Sequence, residues 1–174
     1  MKPKAKRQTD PAIAQARREQ ILTAAAECFR RKGYHGAGMA EISKTAGMSA
    51  GHIYNYFESK EAIIESIIEK DMEEMFSIFQ KFEDHPGDVL AALLDGLNIG
   101  VQRHMDTGSC VIDLDMMAEA GRNVKVATLL RETDIQARGR MRQLLTSERS
   151  ALKDIDELEL ESRINVIFSM MTGL

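Results

Sequence analysis

The chain has no tryptophan, three prolines, two cysteines and few other aromatic residues. Two cysteines as far apart as Cys28 and Cys110 build neither a disulfide framework nor a zinc knuckle. They read as reduced thiols, which suits a cytoplasmic protein. No uncharged run approaches the roughly 18 residues of a membrane-spanning helix. The basic N-terminus is not followed by the apolar stretch of a signal peptide, so no membrane partner is expected. Alternating runs of Val, Ile, Thr and aromatics are missing, which argues against strands. There is no Gly-rich phosphate loop and no nucleophile elbow. None of His35, His52, His85 or His104 has an acidic residue three positions before it, as a carboxylate-bridged metal bundle would require. Catalytic residues, metal and cofactor are therefore not expected.

What the sequence does hold is helical. Hydrophobic residues make up 44% of 174, with eleven methionines, enough to bury a core. Asp10-Pro11 is a helix start, with Asp as N-cap and Pro in the first turn. Ile21, Leu22, Ala25, Cys28 and Phe29 then recur at helical spacing up to Gly33, which reads as a left-handed cap. Met39, Ile42, Ala46 and Met48 predict a short second helix. Ser49 caps a third, in which Ile53 and Phe57 face inward. Ser59 caps a long fourth, ended by His85-Pro86-Gly87. A fifth is predicted from Asp88 to about Met105, followed by a turn at Thr107-Gly108-Ser109. Ser109 would cap a sixth, ending near Gly121. Asn123 caps a seventh whose apolar positions include Leu129, Leu130, Ile135, Met141, Leu144 and Leu145. A last helix follows from Leu158.

Charge divides the chain. Residues 1–60 carry eleven Lys and Arg against five Asp and Glu, and residues 61–174 carry twelve against twenty-two. A basic head on an acidic body suits a nucleic-acid-binding domain joined to one of another purpose. Residues 39–57 have the layout of a helix-turn-helix. Ile42, Ala46, Met48, Ile53 and Phe57 must pack to fix the angle between two short helices, and Gly47 must turn the chain at positive φ. The remaining positions suit DNA. Ser49 opens a helix, Gly51 lets backbone approach base edges, and His52 and Asn55 offer donors and acceptors. Tyr54 and Tyr56 offer rigid hydroxyls for phosphates, and Lys60 a point charge.

These residues carry a family likeness. The run Ile21-Leu22-x-Ala24-Ala25-x-x-Cys28-Phe29-x-x-x-Gly33-Tyr34, then Ile42-x-x-x-Ala46-Gly47-Met48-Ser49-x-Gly51-x-Ile53-Tyr54-x-Tyr56-Phe57-x-Ser59-Lys60-Glu61, resembles the N-terminal domain of TetR-type regulators. The resemblance places Gly51, His52, Tyr54, Asn55, Tyr56 and Lys60 where that family contacts DNA. It implies an all-α chain: a three-helix DNA-binding domain joined by a long helix to a larger ligand-binding and dimerisation domain. It also implies a homodimer on double-stranded operator DNA, repressing until a small-molecule inducer arrives. One departure stands out: Ala37 and Gly38 occupy positions where the family usually has Ser or Thr. One phosphate contact is then missing, to be offset by the basic arm (Lys2, Lys4, Lys6, Arg7) or left as a weaker grip.

The domains expected are a disordered basic arm at 1–9, the DNA-binding domain at 10–58 and the sensing domain at 59–174. The segment from Asp115 to Asn123 with Leu129-Leu130-Arg131-Glu132 is more loosely similar to one branch of TetR-type C-terminal domains. Flexible, polarizable Met72, Met75, Met105, Met116, Met117 and Met141, with Phe76 and Phe79, are candidates for an adaptable apolar pocket, or simply for core. A helical projection puts Asp113 among Met116, Met117 and Ala120. There it could meet a cationic lipophilic ligand, or an Arg of the seventh helix, or serve the helix start. The sequence stops inside an apolar run (Ile164, Val166, Ile167, Phe168, Met170, Met171), as if cut short. A regulator without an intact dimer interface, or one that binds partners only, is the alternative reading.

Overall fold

The computed structural model describes residues 10–96 and 107–172, and among these all regular structure is helical. The helices are α1 (Pro11–Gly36), α2 (Met39–Thr45), α3 (Ala50–Ile53), α4 (Lys60–Asp84), α5 (described over residues 89–96), α6 (Thr107–Ala120), α7 (Val124–Leu145) and α8 (Glu157–Thr172). The chain divides into two compact units, Met1–Ile67 and Ile68–Leu174, with the division inside α4. The basic arm and Met105 lie outside the described residues.

Local chemistry sets the helix starts. The Asp10 carboxylate accepts from the Ala12 amide at 3.0 Å, with Pro11 beside it. Ser49 Oγ accepts from His52 N–H, and Ser59 Oγ from Ala62 N–H. Asn123 Oδ1 takes the amides of Lys125 and Val126, and Asp156 Oδ1 those of Leu158 and Glu159. Each supplies an acceptor to amides that a helix start leaves open. The far end of α4 is closed differently: the Arg149 guanidinium donates to the carbonyls of Phe82 and Glu83.

Two glycines turn the chain where other residues would be strained. Gly47 lies at φ 65° between α2 and α3. Gly33 lies at φ 72°, ψ 162°, and kinks α1 near its end. That is not the left-handed helical cap expected, but an extended mirror-image conformation that only glycine adopts readily. A last turn, residues 34–36, follows it.

The first unit buries Ile21, Ala25, Cys28 and Phe29 of α1, Ile42 of α2 and its C-cap Ala46, Ile53 and Phe57, and Ile63, Ile64 and Ile67 of α4. The core of the second gathers Phe79 of α4, Val89 of α5, Ala137, Met141, Leu144 and Leu145 of α7, and Leu160, Ile164 and Phe168 of α8. Arg142 of α7 ties the same helices at the surface through Glu157 and Glu161 of α8.

Three further expectations from sequence need correction. Thr107-Gly108-Ser109 is helical, so α6 starts before Ser109, which is not its cap. The turn preference of such residues is a weak bias that tertiary context overrides. Ile135 faces outward, 62% exposed, because the buried side of α7 runs through Val126, Ala137, Met141 and Leu144 instead. The third helix is only one turn long, and Tyr54–Tyr56 continue it as a tighter turn.

Truncating Ile164 to Ala, at a site 1% exposed, is expected to destabilise the second unit by about 2–5 kcal/mol. Ile135→Ala should cost well under ~1 kcal/mol. Urea unfolding of the two variants checks the assignment of core and surface.

Candidate nucleic-acid interface

The helix-turn-helix is built from two short helices, neither able to hold together alone. Packing and polar braces hold them. Ile42 and Ile53 are fully buried and Phe57 is 3% exposed. Ser43 Oγ donates to the Met48 carbonyl at 2.8 Å, while the Met48 amide returns to the Ser43 carbonyl at 3.0 Å, which ties the turn at Gly47 from within. Gln20 Nε2 of α1 donates to the Ala46 carbonyl at 2.8 Å. Arg18, also on α1, donates to the Tyr56 carbonyl at 3.0 Å and lays its guanidinium over the Phe57 ring, 4.4 Å from the centroid. The Gln20 and Arg18 braces meet carbonyls where a helix ends and no intrahelical partner remains.

This frame sorts the sequence-predicted contact residues. Ser49, Gly51, His52, Tyr54 and Asn55 are all exposed, Tyr54 at 52%. Ile53, among them in sequence, is turned into the core. The backbone bonds Asn55 N–H to His52 O and Tyr56 N–H to Ile53 O keep residues 54–56 wound tightly onto α3. Tyr56 is half-buried, its ring edge-on to His52 with centroids 5.3 Å apart. Open space surrounds the missing side chain of Gly51. Gly38 is the N-cap of α2 and brings no side-chain bond to it, as its lack of a hydroxyl requires.

Lys60 stands apart from this group. Its ammonium donates to the carbonyls of Tyr34, at 2.7 Å, and Ala37, at 3.1 Å, and lies 4.3 Å from the Tyr34 ring centroid. Two of its three donors are thereby engaged within the protein. The adjacent Glu61 carboxyl is held below its ordinary 4.5 by a bond from its own backbone amide. Slight burial opposes this. The Ser59 and Tyr34 hydroxyls and the charge of Lys60 add to the lowering.

Sequence reasoning passed over Arg18, Gln20 and Ser43, and gave Tyr34 no role beyond its place in the family-like run. Arg18 and Gln20 read as ordinary surface residues of a polar helix face. The one available signal was spacing: Arg18 lies one turn before Ile21 and Leu22, at the border of the buried stripe.

The sensing candidates are less concentrated. Phe79 and Met141 sit in the core of the second unit, with Met75 and Phe76 packed against it. Met72 is half-buried, Met116 is buried, and Met117 is 51% exposed. Asp113 is half-buried, and the buried carboxylate of α6 is instead Glu119, 3.8 Å from Arg122. No described helix is long and apolar enough to cross a membrane.

A lowered carboxylate stabilises the fold above its ordinary value and loses that effect as pH falls through its folded value. Glu61→Gln should therefore be less stable than the parent at pH 7, and the gap should close below about pH 4.5. Thermal unfolding of both proteins across this range checks the sign.

Comparison with known proteins matches the same stretch. Residues 21–67 fit the model of the family described as bacterial regulatory proteins, tetR family. The transcriptional regulator UidR of Escherichia coli K12 is 34% identical over 124 residues, which cover 68% of this chain and 59% of UidR. The chain thus spans about three fifths of the length of that curated relative. Among solved structures, GusR of Salmonella enterica superimposes with a TM-score of 0.75 at 26% identity, over 97% of this chain and 84% of GusR. FadR of Bacillus subtilis, solved with stearoyl-CoA, gives 0.72 at 21% identity over 89% and 83% of the two chains, a likeness of fold. With its two glycine-turned short helices, its buried Ile53 and Phe57 and these relatives, the chain belongs to the tetR family of bacterial regulatory proteins.

Proposed function

We propose that the chain is a ligand-responsive transcription regulator, which occupies double-stranded operator DNA as a homodimer and is released by a small lipophilic molecule. The observation that carries the DNA-binding half is the alternation at residues 49–57. Ser49, Gly51, His52, Tyr54 and Asn55 stand outward while Ile53 and Phe57 are buried. An amide at Asn55 and an imidazole at His52 suit base edges, and the Tyr54 and Tyr56 hydroxyls suit phosphates. The excess of Lys and Arg in residues 1–60 favours approach to a polyanion.

Two observations support the rest. On α8, Leu158, Val166 and Met170 lie at multiples of four residues and are 58–79% exposed, an apolar ridge of the kind a second copy would cover. Two linked readers would then engage two half-sites. For the inducer, Met75, Phe76, Phe79 and Met141 form one adaptable apolar cluster, and a relative of the same fold takes an acyl thioester. Met72, Met116 and Asp113 are further candidates for contact with it.

The DNA reading is tested with a duplex recovered by the full chain from a randomised pool. Asn55→Ala should weaken binding to that duplex by about tenfold or more and relax its sequence preference. Tyr54→Phe, which removes one hydroxyl, should weaken it several-fold and leave the preference unchanged. Unaltered affinity in Asn55→Ala would contradict the proposal. Sedimentation checks the oligomer: Val166→Glu with Met170→Glu should shift a dimer to monomer while leaving helicity intact.

A further inference from the structure

Lys60 opens α4, yet its ammonium is directed back into the first unit. It donates to the Tyr34 carbonyl at 2.7 Å and the Ala37 carbonyl at 3.1 Å, over the Tyr34 ring. Those carbonyls flank the junction between α1 and α2. Elsewhere α2 is paired to α1 through Glu41, which lies 2.9 Å from Lys32 and 3.6 Å from Arg31, but the turn between the two helices has little else to hold its backbone. Gly33 breaks the helical path at φ 72°, Ala37 is bonded to the Gly33 carbonyl at 3.2 Å, and Gly38 caps α2 without a side chain. On α4, Lys60 converges on Tyr34 through both its carbonyl and its ring. A hydrogen bond from a charged donor is stronger than a neutral one, and two on neighbouring carbonyls fix a turn as well as a charge.

We infer that Lys60 is a positioning residue: its ammonium clamps the α1–α2 junction and so seats α2 beneath the reading turn, and it serves DNA binding through this seat and not as a phosphate contact. This rests on the DNA-binding reading above. Lys60 acts on α2, and α2 acts on α3 through the bonds between Ser43 and Met48. Its methylene stem is half-buried, so Met keeps the packing and removes only the charge and donors.

Lys60→Met in the full chain therefore has two expected effects. In the free protein, exchange of the Ala37 amide should quicken at least tenfold relative to that of buried Ile53. On the pool-selected duplex, affinity should fall about tenfold, while the slope of log affinity against log salt changes by less than half a contact. Loss of a true phosphate contact would lower that slope by about 0.9. Lys60→Arg, which keeps charge and donors, should restore Ala37 protection. Unchanged Ala37 exchange in Lys60→Met, or a slope lowered by a full contact, overturns the assignment. The exchange measurement needs no DNA, so it decides the clamp even where the wild-type chain selects no duplex.

Discussion

The first unit depends on satisfying carbonyls at helix ends. Between Pro11 and Lys60 the chain makes three helices, and two of them are seven residues or shorter. Every helix C-terminus leaves carbonyls without an intrahelical partner, and short helices have proportionally more of them. Buried without partners, each would cost on the order of 1–3 kcal/mol, enough to erode a marginal domain. The protein meets this with long polar side chains, Arg18 at Tyr56, Gln20 at Ala46 and Lys60 at Tyr34 and Ala37, while the short Ser43 ties the turn at Met48. Three of these donors come from α1 or α4, so the two longest elements of the unit hold the two shortest.

That arrangement links stability to chemistry. Because α1 and α4 carry the frame, the stretch from Ser49 to Phe57 is free to present polar groups, with only Ile53 and Phe57 committed inward. Tyr56 illustrates the coupling. Its carbonyl is held by Arg18, the next ring lies under the same guanidinium, and its own ring leans on His52. A change at Arg18 would loosen Tyr56 directly and His52 through the Tyr56 ring.

Much of this was legible in the sequence, for a physical reason. Caps at Asp10, Ser49, Ser59 and Asn123 act over two or three residues, so the residues that make them lie beside the amides they serve. Gly47 announces its turn because few residues tolerate its φ. The inward pattern at Ile42, Ile53 and Phe57 follows from helical spacing. What stayed hidden acts across distance. Arg18 reaches a carbonyl 38 residues away and Lys60 one 26 residues away, and nothing in an isolated Arg or Lys distinguishes a brace from a solvated charge. In the second unit, the projection of α6 favoured Asp113, yet Glu119 is the buried carboxylate. A helical wheel locates a face but not the neighbour that covers it. Ile135 failed likewise, being apolar on a side of α7 that faces outward.

The central claim is that the reading turn is assembled by the protein itself before any nucleic acid arrives. Amide hydrogen exchange of residues 46–57, measured on the full chain alone and with excess duplex, tests it most directly. The account predicts that Ile53 and Phe57 are already protected in the free chain and gain little on binding, with new protection confined to their exposed neighbours. Rapid exchange at Ile53 and Phe57 that slows only when duplex is added would contradict it, because the turn would then be folding on the DNA.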